Sequence, residues 1–334
     1  MIIISEAGCF APLIPVTFSD FFIITVKEWI TVASKNIAVN KKTSRLVVQE
    51  NVAAYLFMLP FLLFFAGFVL YPMIMCVYTS FFDATMGTRE DIFIGFANYK
   101  ELFNDPVFWK AMWNTLIIVG VSVPVTCLFS LWVASAISRM PVVATSAFRC
   151  IFYLPVVTGS VAVTMVWKWM YNNYYGILNY IGQSTGIIDK PINWLGDPKY
   201  ALGCIILILL TTSVGQPIVL YVSALDNVDK SLVEAAQVDG ATNTQAFWKI
   251  KWPQMMPTTL YILVITTINS FQCFALIQLL TSGGPNNSTM TIMYYIYYNA
   301  FSLYRYGYGN AMGVVLAIII AILSAVQFKL GEEK

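Results

Sequence analysis

An all-α protein that crosses a membrane several times is the fold class that this sequence predicts, and two observations lead to it. Hydrophobic residues make up 58% of the 334 residues and charged residues only 11%, whereas an ordinary soluble domain carries about 25% charged residues. The apolar residues also collect in runs that are long enough to cross about 30 Å of hydrocarbon. These runs cover residues 52–80, 111–138, 150–171, 201–224, 258–281 and 310–328.

Each apolar run is predicted to be one transmembrane helix, which gives six spans. Several runs contain proline, and membrane helices tolerate proline where neighbouring helices satisfy the freed carbonyls. The prolines in question are Pro60, Pro72, Pro124, Pro155 and Pro217.

The loops between the runs alternate in charge, which predicts the orientation of the chain. Basic residues collect on one side, which the positive-inside rule assigns to the cytoplasm together with both termini. They are Lys41, Lys42, Arg45, Arg139, Arg149, Lys230, Lys249, Lys251, Lys329 and Lys334. The other side has three longer loops, 81–110, 172–200 and 282–309, rich in Tyr, Asn, Gly and Asp.

Residues 1–50 are predicted to be a cytoplasmic lead-in rather than a seventh span. Lys27 and Glu28 interrupt its apolar run, so the run is too short and too charged to cross a bilayer. An amphipathic helix lying on the inner leaflet is the alternative. Residues 51–330 would then form a single transmembrane domain.

Composition excludes several function classes. The chain has no histidine, its six cysteines are scattered without a CxxC pair, and so neither a metal site nor a disulfide framework is expected. The net charge of +2 is too small to indicate a nucleic-acid partner. No phosphate-binding loop of the G-x-x-x-x-G-K-[ST] type occurs, so the chain is not expected to hydrolyse ATP. Without histidine or a carboxylate pair inside the apolar runs, it is not expected to be an enzyme, and no cofactor is expected.

A polar island, residues 225–257, interrupts the apolar sequence between the fourth and fifth runs. Glu234-Ala235-Ala236 is predicted to start a helix and Gly240 to form a turn. A second helix, Ala241 to Trp252, is predicted to end at Pro253 and Pro257. Two short helices around a glycine turn predict a compact projection that contacts another protein.

Polar side chains inside the fourth and fifth runs are candidates for a substrate path, because such groups are costly when they face lipid. Amides and aromatic rings without charge suit a neutral polyhydroxylated ligand, whereas an anion would be expected to require Arg or Lys. Packing of helices through Asn and Gln is the alternative role for each residue. The candidates are Gly215, Gln216, Asn269, Phe271, Gln272 and Gln278.

The island resembles the EAA coupling loop of binding-protein-dependent ABC importers, on whose motif Glu234, Ala235, Asp239 and Gly240 fall. Further landmarks occur in the same order as in permeases of carbohydrate importers of the maltose and glycerol-phosphate type, over about 280 residues. They include Asn98-Tyr99, Asp105-Pro106, Leu154-Pro155, Trp167-Lys168-Trp169, Gly283-Gly284-Pro285 and Gly307-Tyr308-Gly309-Asn310. Within that family the chain resembles the maltose "F" subunit, without that subunit's extra spans and large outer domain.

The resemblance implies a type I ABC importer fold and an assembly around this chain in a prokaryotic cell membrane. It implies a heterodimer with a second EAA-type permease, two copies of a separate ABC ATPase, and a solute-binding protein on the outer side. The ATPase-coupling residues implied are Glu234, Ala235, Ala236, Asp239, Gly240, Ala241 and Pro253.

The long outer loops are predicted to dock the binding protein, since long ordered loops usually carry function. The segment with Gly283, Gly284 and Pro285 is the candidate contact, and simple capping of the helix ends is the alternative. The predicted function is the import of a sugar or oligosaccharide. Import of glycerol phosphates or another small polar solute, or an ion-coupled carrier, are the alternatives.

Overall fold

A computed structural model of the chain describes residues 45–85 and 92–332, without the side chains of residues 45–51, 53 and 332. Most of the predicted lead-in, residues 1–50, lies outside the described residues. The chain divides into two units, Met1–Val69 and Leu70–Lys334.

The described part of the first unit is one helix, α1, Arg45–Phe65, followed by a wide turn with π-helical hydrogen bonding at Ala66–Leu70. Its apolar residues occur on all sides, and none of its described side chains is buried. A helix that is apolar all round is typical of a membrane span.

The second unit consists of helices joined by short segments and one small hairpin. The hairpin pairs β1, Phe82–Asp83, antiparallel with β2, Ile92–Phe93, in the register Phe82 with Phe93. The helices before the polar island are α2 Tyr71–Thr79, α3 Ala97–Asn104, α4 Pro106–Ile137, α5 Val142–Val157, α6 Ser160–Met170, α7 Ile177–Ser184, α8 Pro198–Ser213 and α9 Gly215–Asp226. Those that follow are α10 Lys230–Val238, α11 Asn243–Ala246, α12 Trp252–Phe271, α13 Ala275–Leu280, α14 Ile292–Tyr297 and α15 Tyr306–Glu332.

Among the described residues, four helical segments are long and apolar enough to cross a membrane, and two bent helix pairs raise the number to six. The four segments are Ala54–Thr79, Pro106–Ile137, Asn243–Leu280 and Tyr306–Gly331. The bent pairs are α5 with α6 and α8 with α9. The predicted class, a polytopic helical protein with six apolar spans, is confirmed.

The third and fourth spans are not the single straight helices that the sequence predicted. Helices α5 and α6 meet at 92°, because Thr158 and Gly159 adopt extended conformations with ψ of 125° and 138° that end one helix before the next begins. Helices α8 and α9 meet at 41°. Pro217 accounts for this bend, since it has no backbone N–H for the carbonyl one turn earlier, at Ser213.

Helix α4 is the centre of the second unit and packs against α8, α9, α12 and α14. Its contacts include buried hydroxyl groups as well as apolar side chains. Ser122 Oγ lies 3.0 Å from Ser270 Oγ, and Ser130 donates to the carbonyl of Val214 at 3.3 Å. Small hydroxyl residues let membrane helices approach closely while satisfying polar groups.

Two wide π-helical turns, Phe247–Lys251 and Tyr298–Ser302, interrupt the helical segments around α12 and α14. The predicted outer loops also contain short helices, because α3, α7 and α14 lie within them. Each of the long loops of the sequence therefore has a short helix within it.

Candidate functional site

A cavity of about 320 Å³ without a charged lining residue lies where the bent helices meet the end of α12. Residues of α5, α6, α8, the end of α12, the start of α13 and the segment between those two helices form its wall, and none of the lining residues is charged. The polar and aromatic groups that line it are Thr158, Ser160, Thr212, Asn269, Gln272 and Phe274. The helix breaks create this space, since a straight third span would not bring Thr158 and Ser160 to a turn beside α12.

Asn269 and Gln272 are the two predicted path residues that the structure brings together in this cavity. Both side chains are exposed, and they lie three positions apart at the C-terminal end of α12, on one helical face. Helix α12 ends at Phe271, and Gln272 caps it by donating its backbone N–H to the carbonyl of Ile268 at 3.2 Å. Their side chains provide both donors and acceptors for the hydroxyl groups of a ligand.

Phe271 does not take the role that the sequence suggested. Its ring is completely buried in an apolar cluster with Leu276 and Ile277, so its face is not available to a sugar ring. Phe274 is the aromatic residue that lines the cavity, and its ring packs against that of Tyr297 with centroids 4.8 Å apart. Sequence periodicity did not distinguish the two rings, because the helix ends between them.

The remaining path candidates lie outside the cavity lining. Gln278 donates its side-chain amide to the hydroxyl of Tyr297 at 3.4 Å, which is a packing contact. Gly215 is buried, and a Cβ atom there would overlap the backbone carbonyl of Phe152 and approach Val156 Cγ2 to 2.8 Å. Gly215 therefore lets α5 pack closely against the junction of α8 and α9. Gln216, its half-buried neighbour, is likewise absent from the lining.

The polar island forms an exposed projection in which Glu234-Ala235-Ala236 lies inside a helix rather than starting it. Helix α10 begins at Lys230, because the Asp229 side chain accepts a hydrogen bond from the backbone N–H of Ser231 at 2.9 Å. An aspartate in this position is a stronger N-cap signal than the glutamate further along.

Gly240 ends α10 as predicted. Its φ of +83° is in the left-handed region. Its N–H donates to the carbonyl of Gln237 at 3.0 Å, and the N–H of Ala241 donates to that of Ala236 at 2.9 Å. This pair of bonds is the Schellman arrangement that glycine favours at helix ends.

The second short helix begins at Asn243, two residues later than predicted. Thr242 and Gln245 form a reciprocal capping box, with the Thr242 N–H donating to Gln245 Oε1 at 2.8 Å. The predicted stop at Pro253 and Pro257 is wrong, because helical structure continues past both prolines to the end of α12 at Phe271. Pro253 is tolerated since it occupies the first turn of α12, directly after the wide turn that ends at Lys251.

The candidate coupling residues, including Pro253, are all exposed or partly exposed to solvent. Glu234, Ala235, Asp239 and Gly240 are exposed, and Ala236 and Ala241 are partly exposed. Apolar side chains on the same projection are also exposed: Val238 is 88% exposed and Trp248 56%. Exposed apolar groups beside two carboxylates are typical of surfaces that contact another protein.

The candidate docking segment is held against the N-terminal part of α4. Lys110 donates to the backbone carbonyl of Asn286, and Asn114 donates to those of Asn287 and Met290 at 3.0 Å each. Gly283 is buried with a φ of +82°, whereas Asn286 is exposed. Gly284 and Pro285 are partly exposed beside it. The exposed tip of this segment is therefore Asn286 rather than the two glycines.

A polar cluster near the start of α4 was not predicted from the sequence. The Asp105 carboxylate caps α4 by accepting from the N–H of Val107 at 2.8 Å. The same carboxylate accepts hydrogen bonds from the hydroxyls of Tyr295 and Tyr308, at 2.5 and 2.8 Å. The helix start Asp105-Pro106 was a signal for the cap, but the two tyrosines are about 190 to 200 positions away in sequence.

The pKa of Asp105 lies below the usual value of an aspartate. Partial burial raises this pKa, but the hydrogen bonds from Tyr295, Tyr308 and the backbone outweigh it because they stabilise the ionised form. Next to this carboxylate, Arg305 pairs with Glu101 at 2.7 Å and lies over the Tyr308 ring at 4.6 Å from its centroid. Together these contacts tie α3 and α4 to the start of α15.

Up to six membrane spans among the described residues, an uncharged cavity between bent helices and an exposed helical projection are features of a membrane permease. The chain belongs to the family of binding-protein-dependent transport system inner membrane components, which matches residues 48–330. Members of this family are the permease subunits of ABC importers, in which a separate subunit hydrolyses ATP. This chain is therefore a transporter subunit and not an enzyme.

Similar proteins support this assignment over most of the chain. The probable ABC transporter permease protein YurN of Bacillus subtilis is 33% identical over 293 residues, which cover 86% of this chain and 100% of that protein. The lactose transport system permease protein LacF of Rhizobium radiobacter is 32% identical over 85% of this chain and 95% of its own length. The fold is shared with the crystal structure of a bacterial ABC transporter involved in the import of the acidic polysaccharide alginate. The TM-score is 0.75 at 24% identity, and the match covers 86% of this chain and 97% of the alginate transporter chain.

Proposed function

We propose that this chain forms half of the translocation path of an importer for a neutral sugar or oligosaccharide. The observation that carries the proposal is the cavity lined by Asn269, Gln272 and Phe274 without a charged side chain. Amide groups hydrogen-bond sugar hydroxyls, and an aromatic ring packs against the apolar face of a sugar. The lactose permease from Rhizobium radiobacter supports the same class of substrate.

The absence of charged residues from the cavity wall also favours a sugar importer over the two alternative functions. An importer of glycerol phosphates would be expected to present Arg or Lys to the phosphate. Lys168, the basic residue near the end of the third span, is exposed and donates to the carbonyl of Leu279 at 3.4 Å, and it does not line the cavity. An ion-coupled carrier would usually place a carboxylate in the path, and the cavity has none.

The proposal includes an assembly in which this chain supplies one of two permease halves. The cavity is open on one side, and α5 exposes large apolar residues such as Val142 and Val143, each 82% exposed. A related permease subunit would cover the open side, with lipid around the remainder. Two copies of an ABC ATPase would bind the exposed projection on the cytoplasmic side, where both termini also lie, and the solute-binding protein would dock on the outer loops. No cofactor would be held by this chain.

The test of the proposed function is uptake by the complete complex in proteoliposomes, with its partner permease, ATPase and binding protein. A panel of lactose, raffinose, maltotriose and glycerol 3-phosphate is offered, and a neutral sugar is expected to be transported. Uptake of glycerol 3-phosphate with none of the sugars would overturn the proposal.

Substitutions in the cavity then test whether it is the path. Removing one hydrogen-bonding side chain costs about 0.5–1.5 kcal/mol, so the double variant Asn269→Ala/Gln272→Ala is expected to lower sugar uptake by roughly 10-fold. Basal ATP hydrolysis should stay unchanged. The matched control is Asn104→Ala, an exposed amide on α3 outside the cavity. Equal uptake by the double variant and the control would exclude the cavity as the path.

A further inference from the structure

The segment between α6 and α8 is folded around one buried amide. Asn179, only 3% exposed, donates to the carbonyls of Asn173 and Ile192 at 3.2 and 3.0 Å. Its carbonyl oxygen accepts from the N–H of Ile192 at 3.1 Å and from the indole N–H of Trp194 at 2.9 Å. All four hydrogen-bonding positions of this amide are used, so the segment is a fixed platform rather than a loose connection.

A tight turn on this platform presents two tyrosines to the outside. Asn172 Oδ1 accepts from the backbone N–H groups of Tyr174 and Tyr175 at 2.9 and 3.3 Å. Gly176 completes the turn, and a Cβ atom there would overlap the backbone of Asn172. Tyr174 is 91% exposed and Tyr175 is 65% exposed. Aromatic rings usually bury much of their surface, so their fixed exposure indicates that they meet something else.

These tyrosines border a cavity of about 420 Å³ beside α7. Its wall contains aromatic and amide groups together, and no charged residue lines it. Asn173 Oδ1 is buried there without a hydrogen-bond partner in the part of the chain that the structure describes. A native buried acceptor without a donor calls for a partner, and the hydroxyl of a ligand bound in this cavity would be such a donor. The side chains on which the argument rests are Trp169, Asn173, Tyr174, Tyr175, Tyr180 and Gln183.

We propose that this cavity is a second carbohydrate-binding subsite, separate from the cavity at Asn269 and Gln272. The proposal rests on the proposed function, since it assigns the same class of substrate to a second place on the chain. The two cavities share no lining residue. Aromatic faces pack against the C–H groups of a sugar while the amides bind its hydroxyls, and an anionic lipid headgroup would instead require Lys or Arg.

The topology gives this subsite its role. The segment follows the third span and precedes the fourth, and the β1–β2 hairpin joins the first span to the second. With alternating spans, both connections lie at the same end of the bundle, which is the side predicted to face outward. A sugar released there would be held near the mouth of the path, which raises its local concentration when supply is limiting.

Direct binding to the complete complex without its binding protein tests the proposal. The probe is the neutral sugar that the uptake panel identifies, observed by saturation-transfer NMR. The variant Tyr174→Ala/Tyr175→Ala is expected to weaken this binding by about 10-fold. Uptake at limiting sugar-loaded binding protein should fall to a similar degree, while basal ATP hydrolysis stays unchanged. The matched control is Phe93→Ala, since Phe93 is 68% exposed at the same end of the bundle and outside this cavity.

A conservative variant keeps the test valid if the double alanine variant assembles poorly. Tyr174→Phe/Tyr175→Phe keeps both rings and is expected to retain binding to within about 3-fold. Unchanged sugar binding in the alanine variant, or equal losses in that variant and in Phe93→Ala, would overturn the subsite. Failure of the wild-type complex to transport any sugar would instead overturn the proposed function. Loss of uptake in Asn269→Ala/Gln272→Ala with retained binding would show that the subsite is separate from the path.

Discussion

The glycine turn of the polar island offers a graded test of coupling between ATP hydrolysis and transport. Gly240 has a φ of +83°, and a Cβ atom at this position would meet no atom within 4 Å. The effect of a substitution therefore depends on the backbone conformation and not on the size of the new side chain. An L-residue in the left-handed region costs roughly 1–2 kcal/mol, with asparagine less affected than other residues.

This cost predicts an order among three variants. Gly240→Asn should be close to the wild type, Gly240→Ala should lose about 1 kcal/mol, and Gly240→Val should lose the most because a branched side chain is a marked outlier at positive φ. A loss of 1–2 kcal/mol changes the population of the turn by about 5- to 30-fold. The turn is exposed, so the loss should affect the projection and leave the melting temperature of the complex nearly unchanged.

The assay is the amount of sugar taken up per ATP hydrolysed, in proteoliposomes that contain the whole complex and sugar-loaded binding protein. Uptake per ATP is expected to fall in the order Asn, Ala, Val at position 240. Full coupling in Gly240→Val, or a loss in Gly240→Asn as large as that in Gly240→Val, would refute the argument from backbone conformation.

Further predictions concern packing and the Asp105 cluster. Gly215→Ala should lower the melting temperature, because added atoms at a close helix contact cost about 1–3 kcal/mol. The control Gly120→Ala, with open space around it, should leave the melting temperature unchanged. Equal melting temperatures of the two variants would contradict this prediction. Asp105→Ala should destabilise the purified complex by about 2–4 kcal/mol, because the helix cap and the charged hydrogen bonds to Tyr295 and Tyr308 are lost. Asp105→Asn keeps the cap and should therefore destabilise the complex less. Because the pKa of Asp105 is lowered in the folded chain, its stabilisation is full at neutral pH and is lost only as the pH falls below about 4. A difference in melting temperature between wild type and Asp105→Asn that stays constant down to pH 3 would disprove the charged contribution.

The sequence by itself determined that the chain crosses a membrane and that the polar island contains a helix ending in a glycine turn. A run of about 20 apolar residues has the length of a helix that crosses a bilayer, and a helix makes all its backbone hydrogen bonds within itself, so composition and length predict the six spans. The glycine turn at Gly240 was also predictable, because its chemistry is local: one residue without a Cβ atom and the helix just before it. The same locality explains why the family motif was recognisable around Glu234.

The caps at Asp229 and Thr242 are also encoded locally, in residues that favour N-caps. The predicted helix bounds instead relied on the acidic and proline residues nearby. Pro253 was misread because a proline in the first turn of a helix and a proline that ends one look the same in sequence. The wide turn that distinguishes them involves hydrogen bonds over five residues.

Only the tertiary structure decided which polar and aromatic residues meet. Asn269 and Gln272 line a cavity because α12 ends at Phe271 and α5 turns by 92° into α6, and neither break is set by the apolar runs. The sequence does not distinguish Phe271 from Phe274, because both lie in the same apolar run. In the structure Phe271 is buried, whereas Phe274 borders the cavity. The two tyrosines that bind Asp105 come from the far end of the chain, since side-chain contacts between distant helices depend on how those helices pack.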